Sequence, residues 1–105
     1  MKDSNIIGTI CETIKDYEND YMHLRRDIHI EIFRFIEFKI VAEYLNAIAS
    51  RALTEDCMKM IGKKENDPIL TRLFQMAKGE RKTAQMIKDV VPRIRRRVKL
   101  TIANQ

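Results

Sequence analysis

Glycine and proline are scarce in this chain, three and two among 105 residues. An all-β sandwich or barrel needs a turn signal about every ten residues, so this scarcity points away from both. Tryptophan is absent, and no aromatic residue follows Phe74. The last third therefore has no stacking platform of the kind that holds single-stranded nucleic acid. The two cysteines, Cys11 and Cys57, stand alone, with no CxxC and no His-rich neighbourhood. Their spacing makes neither a zinc site nor a redox pair, and free buried thiols are expected over a disulfide.

Long uncharged runs are missing as well. The most apolar stretch, from Phe35 to Leu53, carries Glu37, Lys39, Glu43, Asn46 and Arg51, which is too much charge for a membrane span. The start, MKDSNIIGTIC, has no basic region leading into an apolar one, so no signal peptide and a cytoplasmic location are expected. No Gly-rich phosphate loop, GxSxG or HExxH occurs. Nor does a helix-turn-helix, zinc-finger or RRM signature. The expectation is a protein that is not an enzyme, with no cofactor, no metal and no small-molecule substrate.

What remains is a folded composition, 45% apolar and 33% charged, in a length that holds one domain spanning residues 1–105. No Gly or Pro interrupts the chain between Gly8 and Gly62, and apolar residues recur there at helical spacing. Asp3 or Ser4 can cap a first helix, along which Ile7, Ile10, Ile14, Tyr17 and Tyr21 step by three and four. The polar cluster YENDY at 17–21 predicts a break, with Asn19 or Asp20 capping a second helix to about residue 52. From Phe35 onward that helix is apolar around most of its circumference, as in a helix that is surrounded by a bundle or by an oligomer.

Thr54, Glu55 and Asp56 read as the start of a short helix ended by Gly62. Asp67-Pro68 reads as a cap followed by proline at the first helical position. The next helix is expected to run to about Val91, with Leu73, Ala77, Glu80, Ala84, Ile87 and Val91 on its inner face, and to end or bend at Pro92. Residues 92–105 then form a basic C-terminal helix or tail, with Ile94, Val98 and Ile102 inward. The predicted fold is an all-α bundle of four to five helices, with Ala42, Ala49, Ala77 and Ala84 permitting close packing. An α+β alternative stands beside it. DIHIEI at 27–32 and RVKLTI at 97–102 alternate polar and apolar, the period of a two-stranded ribbon.

Two constellations of titratable residues can be drawn from spacing. Asp20, His23, Asp27 and Glu31 share one face of a helix, although a solvated stripe is the expected reading of such a set. His29, on the apolar side, is expected as a satisfied core imidazole. Glu80 falls on the inner face of its helix, where a buried carboxylate must find a cation or donors. It is expected to bond an Arg of a neighbouring helix or to sit at the rim of a smaller core, with a carboxylate pair to Glu43 of the preceding long helix as the functional alternative. Around it, DPILTRLFQMAKGERKTAQMI is loosely similar to one hairpin arm of ferritin-like iron proteins. Those place a Glu-x-x-His pair on such a helix, but here the fourth position is Thr83. The likeness is confined to this segment and assigns no family.

Charge is divided along the chain. Residues 1–67 hold ten Lys and Arg against thirteen Asp and Glu, whereas residues 68–105 hold ten against two. VPRIRRRVKL adds Arg93, Arg95, Arg96, Arg97 and Lys99 to Lys78, Arg81, Lys82 and Lys88 of the preceding helix. Together these are candidate contacts for a phosphate backbone. They serve that role only if the surface is continuous and is not masked by Asp16, Glu18 and Asp20. Ile94, Val98 and Ile102 are too thin an apolar face for a membrane-surface helix. Two functions follow as expectations. One is a non-catalytic protein-interaction or assembly module, self-associating or with a heterologous partner. The other is sequence-independent nucleic-acid binding through the basic last third.

Overall fold

A computed structural model describes residues 2–21, 27–49, 59, 61 and 65–104. Four helices carry the fold: α1, Lys2–Asp20; α2, Asp27–Ala49; α3, Pro68–Ala77; and α4, Arg81–Ala103. The structure is an all-α bundle with no strand among the described residues. Both segments of the expected ribbon are helical, 27–32 opening α2 and 97–102 closing α4. Their alternation yields to tertiary burial: His29, Ile32, Val98 and Ile102 all turn one helical face into the core.

α1 begins at Lys2, ahead of the expected caps Asp3 and Ser4. The break at YENDY is present, since α1 ends at Asp20 and Tyr21 forms a turn. Asn19 and Asp20 finish the first helix rather than capping the second, which starts at Asp27 with an acid in its first turn. Most of the short helix expected from Thr54 to Gly62 lies outside the described residues. Within it Lys59 and Ile61 are helical, and Ile61 is fully buried.

Asp67 caps α3 as its sequence predicts, accepting from the amide of Ile69 at 3.0 Å with Pro68 in the first turn. The single helix expected from Pro68 to Val91 is two. Lys78 at φ 51° and Gly79 at φ 78° both adopt the left-handed conformation, which ends α3 and lets α4 start at a new angle. Glu80 is therefore the N-cap residue of α4 and not an interior position. The expected stop at Pro92 does not occur either. Pro92 lies inside α4 on its solvent side, so the basic stretch from 92 is the second half of one helix. Proline has no amide to give the Lys88 carbonyl four residues back.

The core is rich in isoleucine: Ile10, Ile14, Ile36, Ile40, Ile87 and Ile94 are fully buried, with Leu73 and Phe33 among them. α2 packs on α1, α3 and α4, and α4 packs in turn on α1 and α3. Of the alanines expected at helix contacts only Ala77 is buried, and the small buried residue of α2 is Ala47. The Cα envelope measures 39 × 26 × 17 Å. Helix axes pack about 8–10 Å apart, so the short dimension holds two layers. Two layers cannot surround α2, and one side of it faces out.

Candidate interaction surface

The outward side of α2 changes character along its length. Asp27, Glu31 and Arg34 occupy it first and are exposed. One turn later the same side carries Phe38, 68% exposed, and Leu45, 46% exposed. Val41 and Ala42 lie between them, half-buried. Large apolar side chains standing this far out of a small domain, grouped on one helix face, make this face the candidate interaction surface.

A groove runs along each side of this ridge. Between α1 and α2 a depression of about 300 Å³ is lined by Ile7 and Cys11 from α1 and by Arg34, Phe38, Val41 and Leu45 from α2. Between α2 and α3 a second, of about 380 Å³, is lined by Phe35, Lys39, Asn46, Pro68 and Arg72. Ala42 borders both. Lys39 places its ammonium 5.6 Å from the ring centroids of both Phe35 and Phe38, so its charge rims the apolar ridge. Burial pushes the Cys11 thiol pKa up, and the nearby charge and hydrogen bonding of Glu37 add to the shift. The shift favours the protonated thiol in the groove.

The basic candidates do not form one surface. Arg95 is in the core, its side chain 3% exposed. It uses all five donors: Nε and Nη2 on Asp67, Nη1 and Nη2 on Glu43, and Nη1 on the Ile61 carbonyl, over 2.6–3.4 Å. Burial alone would lower its pKa, but the bonds to Asp67 and Glu43 and their charges outweigh that and raise it. Arg95 is consequently a structural tie and is withdrawn as an anion contact. The stripe Val91, Arg95, Val98 and Ile102, in steps of four and three, carried the signal.

Arg93 lies 5.1 Å from the centroid of the Tyr17 ring and bonds Asp89 at 3.4 Å. With Arg97 it lines a cleft shared with Asp16 and Asp20 of α1. This flank of α4 is neutralised within the molecule. Lys78, Arg81, Lys82, Lys88, Arg96 and Lys99 remain exposed, with Lys88 6.0 Å from the Phe74 ring centroid. Masking by acidic residues of α1 is therefore partial.

The carboxylate pair is not assembled. Glu43 is held by Arg95, whereas Glu80 is half-buried at the start of α4 and accepts from Thr83 Oγ1 at 2.9 Å. Since the Thr83 proton is given to Glu80, its oxygen accepts from His29 Nε2 at 3.1 Å. The imidazole thus carries its proton on Nε2, and its buried Nδ1 has no partner. His29 is a core histidine, as expected, but only half satisfied. The acidic stripe is also divided: Asp20 closes α1, Asp27 and Glu31 open α2, and His23 lies outside the described residues. Among the described residues no group of three or more His, Cys, Asp or Glu side chains is placed to hold a metal ion, and no helix is long and apolar enough to cross a membrane.

No protein-family model matches the chain, and no solved structure matches it. A stretch of 51 residues, 49% of this chain, is 37% identical to Exocyst complex component 3 of Caenorhabditis elegans. That stretch is 6% of the relative, so what is similar is a short part of a much longer protein.

Proposed function

We propose that the chain is a non-catalytic assembly module, which joins another protein chain by laying the exposed apolar half of α2 against a helix of its partner. The observation that carries this reading is the exposure of Phe38 and Leu45 on a ridge between two grooves. Grooves of this shape receive the side chains of an amphipathic helix at i, i+3, i+4 and i+7 spacing. The partial likeness to a subunit of a protein complex supports the same class of role.

A photoreactive amino acid placed at position 38 tests it, with the same group at Gln85 on the exposed side of α4 as control. Irradiation in cells is expected to give a protein adduct at 38 and none at 85. The absence of an adduct at 38 would overturn the reading.

One observation favours a second reading, sequence-independent binding of nucleic acid. From Arg81, steps of seven and eleven residues reach Lys88 and Lys99 and keep the three on one side of α4, with Arg96 and Lys82 beside them and exposed. Binding to a labelled duplex is then expected to weaken steeply with salt. Arg96→Ala and Lys99→Ala should each reduce the log–log salt slope by about 1. Salt-independent binding, or none at low salt, sinks this reading.

A further inference from the structure

We draw no further inference here: the strongest candidate, the exposed apolar face of α2 around Phe38 and Leu45, belongs to the surface already described, and nothing in the structure shows which molecule covers it.

Discussion

Arg95 and Asp67 meet through two parallel bonds of 2.8 Å, Nε to Oδ2 and Nη2 to Oδ1, with both side chains 3% exposed. Asp67 at the same time caps α3 through the Ile69 amide. A single carboxylate thus starts one helix and anchors another, and the guanidinium carries the link on to Glu43 of α2. Three helices meet in one polar knot inside an apolar core. Its energetic weight lies in its completeness, since a buried charge that loses its partner is far costlier than the pair is favourable.

Arg95→Ala is accordingly expected to destabilise the fold by about 3–5 kcal/mol, read as a shift in urea or thermal unfolding. It leaves Asp67 buried and uncompensated, and it removes the donor held by the Ile61 carbonyl. Arg95→Lys should recover only part of this, because an ammonium has three donors and no fork to match a carboxylate. A variant with wild-type stability would show that the knot is replaced by water.

What sequence reveals here is what acts locally. The Asp67-Pro68 cap is legible because its partner is two residues away. The break after α1 is legible because YENDY gathers polar residues in one place. The fate of Arg95 depends on Glu43, 52 residues distant, and on Asp67, 28 distant. A run of arginines conceals that one of them stands in an apolar stripe. Glu80 misleads in the opposite sense. The inner-face pattern carries straight through Gly79, whereas the chain turns there, so a residue that looks interior is a helix start. The exposed ridge of α2 is legible only in part. Its apolar circumference is visible in sequence, but which side stays uncovered follows from the two-layer packing.

Gly79→Ala tests that turn. A Cβ at Gly79 would meet nothing within 4 Å, so no clash arises, yet φ is +78°. The cost is purely conformational, about 1–2 kcal/mol for an L-residue held in the left-handed region. A loss of this size in chemical denaturation is expected, with the fold retained. Stabilisation instead would mean that α3 and α4 join into one helix when glycine is removed.

Alkaline titration reports the α1–α4 contact. Tyr21 donates its phenol proton to Asp89, and burial first, then this bond and the Asp89 charge, push its pKa up to about 12. The folded state therefore retains a proton that the unfolded chain, with an ordinary phenol near about 10, gives up. The contribution of Tyr21 to stability is complete below about pH 10 and is lost as pH rises toward about 12. Phenolate absorbance should show one late-titrating tyrosine that Tyr21→Phe removes, and that variant should lose less stability over this window than the wild type.

Pro92 offers a test in the stabilising direction. It stands in the interior of α4, exposed, with no amide to give to the Lys88 carbonyl. An interior proline costs a helix about 3 kcal/mol relative to alanine, through the missing bond and the clash of its ring with that carbonyl. Against this, proline restricts the unfolded chain, an advantage of about 0.4–1 kcal/mol that the substitution forfeits. A helix bends to relieve an interior proline ring, so part of the remaining cost is recovered only if the helix can straighten. Ile94, Val98 and Ile102 beyond Pro92 are buried against the rest of the bundle, and that packing resists a large change of direction. Pro92→Ala is therefore expected to stabilise by about 1–2 kcal/mol, less than the full helix penalty. Equilibrium denaturation measures it. A neutral or destabilised variant would mean that the core beyond residue 92 is fitted to a helix already bent at the proline.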